Sequence, residues 1–377
     1  MKDIRNETAS RLKERGPSVS KIKAFVGLDG FVDEIFHIVD KRESATSYSR
    51  VPTIAKYAER LGQAAGKSTN IELVSQMVKL GGNGPIMANA LASLGVQVTY
   101  LGNLGYPNLH PVFEEFSQRA TVHSIADPGF TDALEFEDGK LLVGKHQSLK
   151  DVNWANIIAR FGKHKLEHSL EAAQLICFVN WTMLTSMSEI WEAVQREITP
   201  GINGERRLFF VDLADPEKRT VEDLQHGLNL VGKFQKDFDV ILGLNEKESG
   251  EVGRSLGLDT RDTSVNGLST LASQIREQLE IDTVVIHPVD FAVAADATGT
   301  SSADGPFTSK PRITTGAGDH FNAGFCFGRL LGLSNLNSLY VGVTTSGHYV
   351  RTAKSPTVQD LTDVLVEWPQ METRSLR

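Results

Sequence analysis

The chain has 377 residues, 40% of them hydrophobic, and a formal net charge of −8. That length buries a large core, in one big domain or two, and an acidic balance with no basic tract argues against nucleic acid or an anionic membrane as the main partner. The N-terminal segment is charged and lacks an apolar core, which predicts no signal peptide; no apolar run approaches the ~18 residues of a membrane span; and the two cysteines, Cys177 and Cys326, lie in apolar runs and read as buried thiols of a reducing cytoplasm.

Residues 2–15 predict a polar leading helix. Residues 23–28 (Lys-Ala-Phe-Val-Gly-Leu) read as a buried strand ending in Asp29-Gly30-Phe31-Val32-Asp33-Glu34. Acids at the C-terminal end of a core strand are costly unless paired or placed in a site. In open α/β sheets that edge is where ligands bind. A carboxylate accepts two hydroxyl hydrogen bonds at once, so Asp33 and Asp29 are both candidates for holding a polyol. The plainer alternatives are a turn cap at Asp29 and a solvated Asp33.

Residues 35–60 alternate weakly and then become helical. Gly66-Lys67-Ser68 is not a phosphate-binding P-loop: Gly62 stands one residue too close, and the run follows a helical pattern rather than a strand. An apolar run over 71–80 leads to Gly81-Gly82-Asn83-Gly84-Pro85 and then to a helical pattern that stops at Gly95. Paired glycines before a helix let a substrate approach the backbone. Asn83 both donates and accepts, which suits hydroxyls. A simple strand–turn–helix link is the alternative.

Residues 98–102 read as a strand, and Gly102 to Gly105 as its turn. Residues 133–144 predict a hairpin around Asp138-Gly139. Lys145 and His146 beyond it read as a solvated face. From residue 151 helices and apolar strands alternate: helices over 151–171, 187–197, 220–235 and 266–279, and strands over 175–179, 208–211, 240–244 and 283–286. Repeated units of this kind imply a parallel sheet covered on both faces. Polar groups recur where strands end, at Asn180, Asp212, Asp215 and Asn245. Asn245 and Glu248 have the spacing of a helix capping box.

Near the C-terminus stands Thr314-Thr315-Gly316-Ala317-Gly318-Asp319, followed by a small-residue and aromatic helical run. The glycines let successive N–H groups converge, and the helix start adds positive potential. This is an anion hole suited to a phosphoryl group in transit. Asp319 beside it is placed to accept a proton from an attacking hydroxyl. A glycine turn capping a buried helix is the alternative.

Thr-Gly-Ala-Gly-Asp before Phe-Asn-Ala-Gly-Phe resembles the C-terminal signature of the PfkB, or ribokinase-like, carbohydrate kinase family. The resemblance runs from Gly27 to about Pro356, with its landmarks in family order. It implies a ribokinase-like α/β fold: one kinase domain over 1–377, a parallel-sheet three-layer core, and a small β lid from segments near 34–60 and 120–147. It implies transfer of a phosphoryl group from ATP, with Mg²⁺, to a hydroxyl of a sugar or sugar-like alcohol. Asp319 would be the base and Gly316, Ala317 and Gly318 the anion hole. Asp33 or Asp29, with Gly81, Gly82 and Asn83, would hold the acceptor. Asn245, Glu248 and Thr315 would serve the nucleotide, with Glu248 reaching Mg²⁺ through water. The partners implied are a small sugar and a nucleotide, with a homodimer through the lid as the assembly.

The sequence departs from the family pattern at three places. Ile86 and Ile313 stand where many members have Asn and Asp, and His287-Pro288-Val289-Asp290 replaces a glycine-containing segment. His287 and the Gly27-to-Asp33 spacing resemble the ADP-dependent branch, which leaves ADP as the second candidate donor. A nucleoside- or vitamin-type kinase of the same fold, and a non-catalytic sugar-binding regulator derived from a kinase, are also compatible with these departures. Gly347-His348 either lines a nucleotide pocket or breaks a helix.

Overall fold

The computed structural model describes residues 3–368. The leading helix spans Ile4–Arg15; residue 2 of its expected range lies outside the described residues. Among the described residues fourteen strands follow in chain order: β1 (Lys23–Leu28), β2 (Phe31–Arg42), β3 (Tyr48–Arg50), β4 (Leu73–Gly81), β5 (Gln97–Gly102), β6 (Thr121–Ser124), β7 (Gly129–Glu135), β8 (Lys140–Lys145), β9 (Leu175–Val179), β10 (Leu208–Asp212), β11 (Asp239–Leu244), β12 (Thr283–Ile286), β13 (Phe291–Asp296) and β14 (Gly299–Asp304).

Nine of them form one sheet, in the order β14-β13-β12-β11-β10-β9-β1-β5-β6. From β12 to β6 every pair is parallel, and only β13 and β14 run antiparallel. Strands such as β9 (Leu-Ile-Cys-Phe-Val) are buried at every position because both faces of the sheet are covered. Alternate side chains feed two cores. The register row Phe25, Ile176, Phe209 and Val240 belongs to one, and the next row, Val26, Cys177, Phe210 and Ile241, to the other. Helices Met187–Glu197, Val221–Phe234 and Val265–Leu279 pack on the first, and Asn83–Ser93, Ala317–Leu330 and Asn335–Thr352 on the second. Cys177 and Cys326 are both free and buried, as their apolar surroundings predict. This is the three-layer α/β core that the sequence implies.

The smaller sheet has the order β3-β2-β7-β8, with β4 paired to β2. Its composition differs from the expected segments. The apolar run over 71–80 is β4, a strand of this sheet, and its Met77 and Val78 are half-exposed. Residues 121–124 belong instead to the edge of the large sheet, because β6 pairs in parallel with β5. A small satellite core of Ile38, Val51, Leu134 and Phe136 holds helix Ile54–Gln63 against this smaller sheet.

Three further differences have local causes. The helix expected over 151–171 is two helices, Trp154–Arg160 and Lys163–Ala172, broken at Gly162, whose φ of 97° leaves the helical region. The stretch after β12 returns as the β13–β14 hairpin, a connection the His-Pro-Val-Asp sequence does not announce. Gly347 does not break its helix, which continues to Thr352.

Candidate active site

The C-terminal ends of β1, β9, β10 and β11 face the glycine loop and the small sheet. At the base of this cleft Asp29 is fully buried. It accepts the backbone N–H of Asn83 at 3.0 Å and of Gly84 at 2.8 Å, and the side-chain amide of Asn180 at 2.7 Å. A carboxylate at a helix start satisfies N–H groups that the helix leaves without partners. Burial raises its pKa to about 6, against those three bonds. Asp29 is therefore the anchor of the 81–84 loop; its oxygens offer no exposed surface to a polyol, which corrects its candidacy as a substrate ligand. Gly82, at φ 93°, and Gly84 are required here: a Cβ would lie 2.9 Å and 2.6 Å from the Asp29 oxygens.

The loop held in this way presents Asn83 upward. Its Nδ2 donates to Asp319 Oδ1 at 2.9 Å, tying the 81–84 loop to the start of helix Ala317–Leu330. Asp319 is 8% exposed. Burial raises its pKa to about 8; the Asn83 bond works the other way, and the charges of Asp29 and Glu248 add to the rise. Asp33 faces the same cleft from β2, level with Lys79 of β4 and Thr131 of β7. Burial raises its pKa, and Lys79, Thr131 and Lys140 oppose the shift. Gly81 makes room for it, since a Cβ there would come within 2.3 Å of the Asp33 carboxyl carbon.

The glycine loop is braced from behind. His320 bonds through Nδ1 to the Gly316 carbonyl at 2.7 Å and through Nε2 to Ser355 at 2.9 Å, and its ring stacks 3.6 Å from that of Tyr349. Tyr349 in turn donates to the Thr315 carbonyl at 3.0 Å. Burial lowers the His320 pKa to about 4, so the ring is neutral at pH 7. Ile86, the residue standing in place of Asn, packs 3.3 Å from where a Gly316 Cβ would be. One N–H of the expected anion hole is already committed: Ala317 donates to the Thr314 carbonyl at 3.1 Å. Among the described residues the N–H groups of Gly318 and Asp319 carry no backbone acceptor, as a helix start leaves them.

Beyond Gly318 opens a cavity of about 380 Å³, walled by His287, Val289, Phe307, Phe321, Ser346 and Gly347 among others, with Asn245 at its rim. The His287 ring lies 4.7 Å from that of Phe321, and its buried Nε2 has no partner. Burial lowers its pKa to about 4.

Asn245 and Glu248 form the expected capping box, at 2.9 Å in both directions. The second Glu248 oxygen accepts the Asp215 N–H at 3.0 Å. Both oxygens are thus engaged with backbone N–H groups, and the side chain is buried. Nearby Asp212 accepts from Asn322 at 2.8 Å through Oδ2, while its Oδ1 and the Asn322 Oδ1 are buried without partners. Burial, then the charges of Glu248 and Asp319, raise the Asp212 pKa. No group of three or more His, Cys, Asp or Glu side chains placed to hold a metal is present among the described residues. Two orphaned oxygens beside a concentration of acids still fit a hydrated Mg²⁺, which a protein commonly holds through its water shell.

The structure therefore gathers Asp33, Gly81, Asn83, Asp319 and Gly318 around one cleft, and sets Asp29 beneath it and Glu248 behind it. Sequence reasoning placed Asn180 at a strand end but missed Lys79, Lys140, His320 and Tyr349. His320 directly follows the signature, and Lys79 precedes the paired glycines by two residues; proximity to a motif is the signal that marks both.

A family model described as prokaryotic ketohexokinase matches residues 3–368. A ketohexokinase of Haloferax volcanii is 29% identical over 341 residues, covering 90% of this chain and 89% of that one. Among solved structures, phosphofructokinase-2 of Escherichia coli in complex with substrates and products aligns with a TM-score of 0.61 at 13% identity, over 92% of this chain and 99% of that one. Ribokinase of Arabidopsis thaliana complexed with ribose and ATP aligns with a TM-score of 0.60 at 15% identity, over 91% and 98%. At these identities the structural likenesses carry the fold alone. No helix among the described residues is long and apolar enough to cross a membrane.

Proposed function

The chain belongs to the prokaryotic ketohexokinase family and is a carbohydrate kinase, and from that premise we propose that it transfers the terminal phosphoryl group of ATP to a hydroxyl of a ketohexose. The observation that carries this reading is the 2.9 Å bond from Asn83 to Asp319. It joins an acceptor loop to a base that stands beside free helix-start N–H groups and a nucleotide-sized cavity.

Asp33 and Asn83 orient the acceptor hydroxyl. Asp319, whose pKa of about 8 lies near working pH, takes its proton. The acceptor oxygen forms a bond to the terminal phosphorus, the bond from that phosphorus to the bridging oxygen breaks, and ADP leaves with the electron pair. The N–H groups of Gly318 and Asp319 face the charge on the phosphoryl oxygens. The apolar walls at Phe307 and Phe321 suit a base, and the cavity meets the anion hole at Gly318. Mg²⁺, held through water near Asp212, Asn322 and Glu248, would supply charge neutralisation of the donor phosphates. The five strands β2, β3, β4, β7 and β8 act as the lid. Leu73, Met77, Leu142 and Val143, exposed on its edge strands β4 and β8, make a second copy of the chain the partner we assign to it; light scattering measures that.

A panel of ketohexoses, aldohexoses and nucleosides, each with ATP and with ADP, tests the proposal by phosphorus NMR of the products. A ketohexose phosphate formed with ATP is expected. Turnover only with ADP would reassign the donor, and a nucleoside as the preferred acceptor would overturn the sugar assignment.

A further inference from the structure

Most lysines in contact with acids here do so directly. Lys145 meets Asp132 at 2.7 Å, and Lys247 meets Asp215 at 3.3 Å. Two lid lysines break this pattern. Lys79, on β4, is largely withdrawn from water and makes no hydrogen bond or ion pair among the described residues, although it lies within the field of Asp33 and Asp319. Lys140, at the start of β8, makes one bond, 2.6 Å to the neutral hydroxyl of Thr315, directly before the glycine loop. The two ammonium groups are close enough for each to feel the other. Buried or half-buried charges are ordinarily paired; Asp33 is the carboxylate within the field of both lysines, yet neither ammonium bonds to it, and two cations about that one carboxylate leave a surplus positive charge that an anion can meet. One end of that positive stretch is Thr315, the other the Asp33–Asp319 cleft. These ends are the approach to the glycine loop and the candidate acceptor site.

Resting on the function proposed above, we infer that Lys79 and Lys140 are a lid-borne clamp for the transferring phosphoryl group. Lys140 exchanges the Thr315 hydroxyl for an oxygen of the terminal donor phosphate. Lys79 meets the same group from the acceptor side as its bond to the sugar oxygen forms and its bond to ADP breaks. The clamp reads the terminal phosphate, so the free protein distinguishes a nucleoside triphosphate from a diphosphate. It also draws the lid sheet onto the core only when that phosphate is present.

The test uses the full chain and calorimetry with ADP and a non-hydrolysable ATP analogue, followed by steady-state kinetics with ATP and the preferred ketohexose. The wild type is expected to bind the triphosphate analogue at least ~10-fold more tightly than ADP, and Lys140→Met to bring the two affinities to near parity. Lys140→Met and Lys79→Met are expected to lower kcat by about 10²–10³-fold, the range for removing one preorganised electrostatic group. Lys140→Arg and Lys79→Arg, which keep the charge, should restore most of the rate and the preference. Lys140 is partly exposed and its one direct bond is to the neutral Thr315 hydroxyl, so that variant remains decisive if Lys79→Met does not fold. If Lys140→Met is folded, keeps the triphosphate preference and holds kcat within threefold, the clamp is refuted. A variant that raises both KM values alike at unchanged kcat and unchanged preference refutes it too, by showing a mere latch. Because the calorimetric preference requires no acceptor, a wild type that fails to phosphorylate a ketohexose would overturn the function and leave this measurement to judge the clamp.

Discussion

Asp319→Asn separates chemistry from packing at the centre of the cleft. The carboxylate is 8% exposed and accepts from Asn83 at 2.9 Å, and burial lifts its pKa from 3.8 to about 8. Asn keeps the volume and can still accept from Asn83, but it cannot take the hydroxyl proton. Loss of a positioned base lowers the rate by about 10²–10⁴-fold, with acceptor and nucleotide affinities little changed. Stability should move the opposite way. Between pH 3.8 and 8 the folded chain holds this proton and the unfolded chain does not, so stability falls as pH rises through that window. At ~1.4 kcal/mol per unit, the ionised carboxylate costs the ligand-free fold up to ~6 kcal/mol above pH 8. Asn removes that penalty. The variant is expected to match the wild type near pH 4 and to exceed it at pH 8. An ordinary first-turn acid predicts the reverse, a loss of about 0.3–1 kcal/mol through the helix dipole. Rapid-quench single turnovers and urea melts at both pH values decide. The wild-type pH profile of kcat/KM should also carry a rising limb near the base's pKa that the variant lacks. A folded variant with near-normal turnover would refute the role of Asp319 as base, and a variant less stable at pH 8 would refute the burial argument.

Asp33→Ala is expected to weaken acceptor binding by about 10–100-fold, the equivalent of one charge-assisted hydrogen bond, and to leave nucleotide affinity intact; unchanged sugar affinity by calorimetry would remove it from the acceptor site. Gly81→Ala should raise the acceptor KM in the same direction, because its Cβ would lie 2.3 Å from the Asp33 carboxyl carbon; a normal KM would mean that Asp33 does not need its observed position. Asp29→Ala leaves three donors without their acceptor, so a loss of ~3 kcal/mol or more in urea unfolding is expected, and a loss below ~1 kcal/mol would contradict its part as the loop's anchor.

The parallel core was legible because its signal is local and repeated. Strands such as 175–179 are apolar throughout, helices such as 187–197 carry their own period, and their alternation admits few topologies. Asn245 and Glu248 were legible for a similar reason, since a capping box closes within four residues. The glycine signature marked Asp319 because backbone freedom, a helix start and an acid stand consecutively in the chain. The smaller sheet was legible only in part: a short apolar run such as 73–81 looks alike whether it enters a core or the half-exposed sheet that it forms here.

What adjacency in sequence does not encode, the fold decided. Asp29 and Asp33 are four residues apart and chemically identical. Asp29 lies past the end of β1, turned down onto the N–H groups of Asn83 and Gly84, whereas Asp33 lies on β2, level with Lys79 and facing the cleft. The Asp319 pKa of about 8 comes from burial and from Asp29 and Glu248, residues far away in the chain. Lys79 comes level with Asp33, and Lys140 reaches Thr315, only because strand pairing brings β4 and β8 to these residues. Residue types and local spacing thus determined the core and the chemical groups available to it. Which carboxylate is turned into the fold, which one faces the cleft and which cations lie near them depended on long-range pairing and burial, because solvation and charge–charge energies are set by neighbours in space.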